Sequence, residues 1–195
     1  MKSLILLGAS GHANVIADIA ELNGYDDIIF LDDNPELSDE KTEEYVNHEG
    51  DVFVAIGNSA IRRRFMDLLK QDQRNIPVLI HPSAVIGNEV TVGQGTVIMP
   101  GAVINHGTKL GEGVIVNTCA SVDHDCIVGD YVHVAVGAHL CGTVTVGDDT
   151  WIGAGAIISN NLSVCKDTMI AAGAVVVRDI DIPGKYIGVP AKLQK

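Results

Sequence analysis

The sequence predicts a parallel β-helix built of three-sided coils, preceded by a small α/β domain with a parallel sheet. The first half of that expectation rests on a repeat. From Ala84 to Asp179 the chain recurs every six residues, and the third place of each six is filled by Ile86, Val92, Ile98, Ile104 and onward to Val176, 16 Ile, Leu or Val residues with no slip of frame. The place two residues earlier is small or β-branched throughout, Leu162 excepted, and the place after it is often glycine, as in Gly87, Gly93 and Gly111. The second half rests on residues 1–80, which alternate short apolar runs with helical spacings instead.

A period of six cannot serve an α-helix, whose 3.6-residue turn would spread the aliphatic column around its surface. It suits short extended segments joined by sharp corners. Three sixes close one triangular coil, with each aliphatic residue pointing at the axis, and a hexapeptide repeat marks a parallel β-helix. Coils stack by strand pairing about 4.8 Å apart, so the repeat makes a prism roughly 25 Å tall. Each inward side chain contributes roughly 1.5–3 kcal/mol of gross burial, most of it offset by ordering the chain. A β-rich domain with chance periodicity is the alternative, and an unbroken column of this length excludes it in practice.

Residues 3–7 form an apolar strand that ends in Gly8-Ala9-Ser10-Gly11-His12. Residues 13–22 place Val15, Ile16, Ile19 and Leu22 at helical spacing, and Asn23-Gly24 closes that helix. A second strand over 28–31 ends at Asp32-Asp33, and the polar, acidic stretch 34–50 is a loop. A third strand over 52–56 ends at Gly57-Asn58, a helix over 60–71 carries a basic stripe of Arg62, Arg63 and Arg64, and a fourth strand covers 77–80. Strand, helix, strand, strand, helix, strand makes a parallel α/β unit. The division is therefore residues 1–80 and residues 81–195, the latter including a tail that begins at Arg178.

The composition fits stacked coils, which need small corners and aliphatic insides: 21 glycines and 4% aromatic residues. A net charge of −12 argues against nucleic acid or an acidic membrane surface as a partner, though solubility alone explains it. Cys119, Cys126, Cys141 and Cys165 form no C-x-x-C and have no zinc-like histidine spacing, so they are expected to be reduced filling residues of a cytoplasmic protein, with no metal. The apolar run at the N-terminus, Leu4 to Leu7, breaks at Gly8 and is too short for a signal peptide. No run reaches the length of a membrane span.

Gly8-x-x-Gly11 lies on a strand-to-helix turn, a shortened relative of the loops whose amides hold phosphate oxygens at a helix N-terminus. Asp32, 21 residues past Gly11, falls where an acid meets a ribose or base edge. The full G-x-G-x-x-G is absent, so a plain tight turn remains open, and His12 reads equally as a polar helix cap. In the coil, residues 18 apart stack, so His106 lies under His124, and His133 shares a column with Trp151. His124 stands between Asp123 and Asp125. Neighbouring carboxylates favour the imidazolium, orient the ring and strengthen it as a base. A solvated corner histidine is the bland alternative.

The repeat resembles the left-handed β-helix acyltransferases, in which trimers bind a CoA thioester between adjacent prisms. The whole chain is similar to their PglD and NeuD branch, which acetylates nucleotide-linked amino sugars and sialic acids. The resemblance rests on Gly8-Ala9-Ser10-Gly11-His12, Phe30-Leu31-Asp32-Asp33, Ala55-Ile56-Gly57-Asn58, Asn117-Thr118, His124-Asp125-Cys126, His133-Val134-Ala135-Val136-Gly137 and Gly188-Val189-Pro190-Ala191-Lys192. It implies that His124 is the general base and Asp125 the acid that heightens its basicity. It implies that His133 contacts acetyl-CoA and that Gly142, Ala154 and Ala172 flank the pantetheine arm, with glycine or a larger aliphatic replacing either alanine in some relatives. It implies that Ser10, Gly11 and His12 hold the diphosphate side of a nucleotide sugar, with Asp32, Asp33 and Gly57 around the base and ribose.

The expected activity is an acetyl-CoA-dependent N-acetyltransferase acting on a UDP-linked 4-amino-4,6-dideoxy sugar, working as a homotrimer without metal. Direct attack is favoured, because no cysteine has a helix N-terminus to lower its pKa, and only Cys165, beside Lys166, has a basic neighbour. A sialic acid O-acetyltransferase or a GDP-amino-sugar N-acetyltransferase is the alternative within the class. Outside it stand a non-catalytic solenoid and a zinc hydratase. The latter is weakened because His106, His124, His133 and His139 lack the spacing of those trimers.

Overall fold

The computed structural model describes residues 2–194. Strand β1 (Ser3–Leu7) is the centre of a three-stranded parallel sheet, flanked by β2 (Asp27–Leu31) and β3 (Asp51–Val54). Leu4 to Leu7 are fully buried because helices cover both faces of the sheet. Helix α1 (Gly11–Leu22) lays Ala13, Ile16, Ile19 and Ala20 against Leu4, Leu6 and Phe53. Helix α2 (Ser59–Gln71) brings Phe65, Met66 and Leu69 against Ile5, Leu7, Val52 and Val54. The segment expected as plain loop contains a 3₁₀ turn, Thr42–Asn47.

The prism follows with the expected register. Two-residue strands pair in parallel with partners 18 positions away, as in Ile115↔His133 and His133↔Trp151. The inward column is buried from Ile98 to Val176, at most 4% exposed at Leu110. Ile86, in the first coil with nothing stacked beneath it, is 38% exposed. Two different constraints shape the corners. Glycines directly after the inward residue allow close approach of coils: a Cβ on Gly93 would lie 2.5 Å from the Gly111 carbonyl. Three residues after the inward one, every corner from Glu89 to Gly173 turns through positive φ, whether glycine (Gly107, 71°) or not (Asp125, 57°; Thr143, 61°).

The expected fourth strand of the front domain instead belongs to the prism. Strand β4 (Leu79–Ile80) pairs with Val97–Ile98, with Ile80 in phase with the inward column. The front domain rests on the outside of that same face. The outward residues Leu79, Val97 and Ile115 are buried in one cluster with α1, and Tyr131 packs with α2. Two further expectations need correction. Cys119 fills no space; it is exposed at a positive-φ corner position. Arg62 is not on an exposed basic stripe: with Phe65, Met66 and Leu69 it lies on the buried face of α2 and is 1% exposed.

Candidate active site

The loop after β1 is shaped by close approach. Gly8 has φ 115°, and a Cβ on it would meet the Ala55 carbonyl at 2.8 Å, so no other residue fits. Ser10 caps α1 with extended backbone and no side-chain cap bond, leaving its hydroxyl open beside the first-turn amides. Asp32 ties this loop down: its carboxylate accepts from the Ala9 amide (2.9 Å) and from the Asn34 amide (2.9 Å). Asp33 accepts from the Thr42 hydroxyl (2.7 Å) and amide (3.1 Å), which hold its carboxyl below the usual range. Gly8, Ser10, Asp32, Asp33, Thr42, Ala55 and Ile56 line one cavity of about 260 Å³. Gly57, expected in the same pocket, does not line this cavity; Ile56 does, and the Gly57 carbonyl accepts from Arg62. Ser10, Asp32 and Asp33 thus line one cavity, and both acids are also engaged in shaping the loops.

His12 leaves that cavity and enters the junction with the prism. Its ring centroid is 6.5 Å from that of His133, which in turn packs tilted against Trp151, with centroids 4.2 Å apart. Asn117 accepts from the Thr118 amide through Oδ1 (2.8 Å), so its Nδ2 must donate to His133 Nε2 (3.1 Å). The neutral His133 ring therefore carries its proton on Nδ1, and that nitrogen, like His12 Nε2, is buried with no hydrogen-bond partner among the described residues. Burial, aided by the Arg62 charge, pushes the His12 pKa down to about 4 and that of His133 down to about 3. Both rings are neutral at physiological pH. Asn117 and Trp151 are the residues that sequence reasoning left without roles; the 18-residue column pointed to Trp151, but nothing pointed to the Asn117 bond.

His124 is held differently. It stands on an exposed corner, where its Nδ1 meets Asp125 Oδ2 at 2.9 Å. The positive φ of Asp125 brings that short side chain back onto the ring. The His124 amide donates to Asp123 Oδ1 (2.8 Å), which also accepts from Asn105 (2.8 Å). The Asp125 bond raises the His124 pKa. His106 lies one coil below, its carbonyl accepting from the Asp125 amide. Gly142 lies one coil above, so close that a Cβ there would be 2.5 Å from Nε2. Among the described residues nothing accepts the Gly142 amide hydrogen.

Ala154 and Ala172 line a separate groove of about 420 Å³ with Trp151, Gly153, Met169 and Lys185. They are on the corner that precedes the strands Ile157–Ile158 and Val175–Val176, whereas His124 and Gly142 are on the corner that follows Ser121–Val122 and His139–Leu140. One prism face separates the two corners. Gly142 is thus not beside the two alanines within one chain. The remaining histidines are dispersed: His139 bonds Ser121 (2.8 Å) and His106 faces Glu89 (3.7 Å). Among the described residues no three metal-ligating side chains come together, and no helix is long and apolar enough to cross a membrane.

Comparison with known proteins follows this division of the chain. Residues 3–69 match the family described as the PglD N-terminal domain. Over 114 residues the chain is 30% identical to UDP-N-acetylbacillosamine N-acetyltransferase of Bacillus subtilis (strain 168), a match spanning 51% of this chain and 52% of that relative. The acetyltransferase domain of PglB from Neisseria gonorrhoeae FA1090 is similar over 100% of both chains, at 38% identity and a TM-score of 0.93. That domain has also been solved in complex with acetyl coenzyme A. PerB from Caulobacter crescentus, in complex with CoA and GDP-perosamine, is similar at 30% identity and a TM-score of 0.93, over 100% of this chain and 98% of that one.

Proposed function

This chain belongs to the PglD-type family of hexapeptide-repeat acyltransferases, and on that premise we propose that it moves the acetyl group of acetyl-CoA onto the amine of a nucleotide-linked amino sugar, with His124 as general base. The observation that carries the reading is the state of the His124 ring: Nδ1 is anchored by Asp125 at 2.9 Å, and among the described residues Nε2 has no hydrogen-bond partner. An anchored imidazole with one free nitrogen can take a proton and hold its orientation while doing so.

In the proposed reaction the sugar amine attacks the thioester carbonyl carbon. A C–N bond forms, the C–S bond breaks, and the amine proton passes to His124 Nε2 and then to the departing CoA sulfur. The thioester is already activated, so no nucleophilic side chain is required. Bringing amine and thioester together contributes most of the rate, and the base contributes roughly 10²–10⁴-fold. The Gly142 amide hydrogen is the donor for the developing oxyanion.

The base and ribose go to the cavity of Asp32 and Asp33, next to the turn at Gly57, with the diphosphate toward Ser10 and the first turn of α1 at Gly11 and His12. Acetyl-CoA lies against His133, with its arm along Gly142, Ala154 and Ala172. Because one prism face separates the Gly142 corner from the alanine corner, an arm that touches both lies between two prisms. This supports a homotrimer with sites shared between subunits. The reading includes a cytoplasmic location, where acetyl-CoA and nucleotide sugars are available. The UDP-linked 4-amino-4,6-dideoxy sugar is the favoured acceptor, supported by the front-domain match and by the name of the Bacillus subtilis relative. A GDP-linked 4-amino sugar is the second reading, supported by the GDP-perosamine in the PerB complex.

Thiol release from acetyl-CoA, measured with UDP- and GDP-linked 4-amino sugars, tests the proposal. Release that depends on one of these acceptors, by a protein that light scattering measures as a trimer, is expected. No release with either family of acceptors, or a stable and active monomer, overturns it.

A further inference from the structure

We propose that Arg62 is a positioning residue for this reaction: its guanidinium pins the loop at the nucleotide cavity to two successive coils of the prism and so sets the gap across which the sugar amine reaches the acyl donor. The inference rests on the acetyl-transfer reading above.

The bonds of this one side chain join three segments. Nε donates to the Gly113 carbonyl (2.7 Å) and Nη2 to the Tyr131 carbonyl (2.8 Å). Gly113 and Tyr131 are 18 residues apart, at equivalent corner positions of neighbouring coils, with φ of 58° and 59°. Nη1 donates to the carbonyls of Ile56 (2.8 Å) and Gly57 (2.9 Å), in the turn after β3. Ile56 lines the same cavity as Ser10, Asp32 and Asp33. The fork therefore spans the junction from the pocket wall to the coil.

Among the described residues the guanidinium is held by four backbone carbonyls. Arg62 is 1% exposed and has no carboxylate within ion-pair distance among the described residues; Asp149 pairs with Arg63 instead. Burying a guanidinium without a counter-ion costs several kcal/mol, and an apolar side chain of similar size would avoid that cost but leave the four carbonyls unpaired. What an apolar residue lacks is a planar set of donors in fixed directions, which lysine lacks as well. The other charged ties across the junction, Arg63 to Asp149 and Lys70 to Glu112, lie at its solvated rim and hold little. His12 and His133, the two rings that face each other across the junction, both lie within the field of the Arg62 charge.

The test uses Arg62→Lys, which keeps the charge, and Arg62→Met, which keeps the bulk, in the full chain. Turnover per folded molecule, KM for each substrate and amide hydrogen exchange are measured. In both variants kcat per folded molecule is expected to fall at least tenfold, with KM for acetyl-CoA within about threefold of the original. Exchange is expected to quicken over residues 56–62 and 111–115 and to stay slow over residues 4–7. A variant that melts earlier yet keeps kcat per folded molecule within threefold overturns the proposal, as does unchanged exchange at the junction. The exchange measurement needs no turnover. Absence of acetyl transfer in the unaltered protein would therefore be recognised as failure of the functional reading, separately from failure of the junction.

Discussion

The imidazole of His124 lies across the backbone of Gly142: a Cβ at residue 142 would stand 2.5 Å from Nε2 and 2.7 Å from Cε1. No other residue type fits without displacing the ring. The free nitrogen of the proposed base and the free amide of the proposed oxyanion donor are thereby brought together by stacking of adjacent coils. Gly142→Ala is expected to push the ring away from Asp125 and lower kcat at least tenfold, while the exposed His124 ring, free to swing into solvent, limits any loss of melting temperature to a few degrees although residue 142 itself is buried. Steady-state kinetics and a thermal melt check both halves.

Asp125 accepts from His124 through a side chain carried on a backbone of positive φ. The base works in its neutral form, so activity falls as pH drops through the His124 pKa, which the Asp125 bond raises. Asp125→Asn removes that elevation. The acidic limb of the kcat/KM profile is expected to move to lower pH, with a lower plateau because the weaker base takes a proton less readily. A pH–rate profile of both proteins measures this.

Much of the fold was legible because a prism imposes one environment per place in the repeat. The inward column, the 18-residue stacking and the pairing of His133 with Trp151 all follow from counting in sixes. The His124–Asp125 pair was legible for a local reason, since neighbours in sequence share a corner. What escaped has physical causes too. Leu79, Val97 and Ile115 look like ordinary strand residues, and only the docking of the front domain on their face makes them core. Half of the positive-φ corner positions carry no glycine, so Cys119, Tyr131 and Thr143 gave no sign of it. Arg62 does follow a readable pattern, falling with Phe65, Met66 and Leu69 at the spacing of a buried helix face. Its charge concealed that.

Asp32 shapes the pocket through two amides, Ala9 and Asn34, one from each side. Hydrogen bonds to a carboxylate are worth about 1.5–3 kcal/mol, and Asp32→Ala removes both. KM for the nucleotide sugar is expected to rise at least tenfold, with KM for acetyl-CoA unchanged. A change confined to acetyl-CoA would mean that the front domain holds the other substrate. Initial rates with each substrate varied in turn decide between them.

The junction histidines make stability depend on pH. His12 and His133 have pKa values pushed down to about 4 and about 3 by burial, Arg62 adding to the effect. In the unfolded chain both return to about 6.5. As pH falls below that value the unfolded chain takes up protons first, so stability is complete above about pH 6.5 and is lost progressively toward pH 4. The melting temperature is expected to drop between pH 7.5 and pH 5. His133→Gln should start lower and drop less over the same range. Calorimetry at the two pH values measures both slopes.

Replacing the ring itself tests the central claim most directly. His124→Ala leaves the prism core, the front domain and the alanine groove untouched. Turnover is expected to fall at least a hundredfold while acetyl-CoA affinity, measured by calorimetric titration, stays within about threefold. Turnover equal to that of the unaltered protein would contradict the assignment of His124 as the base.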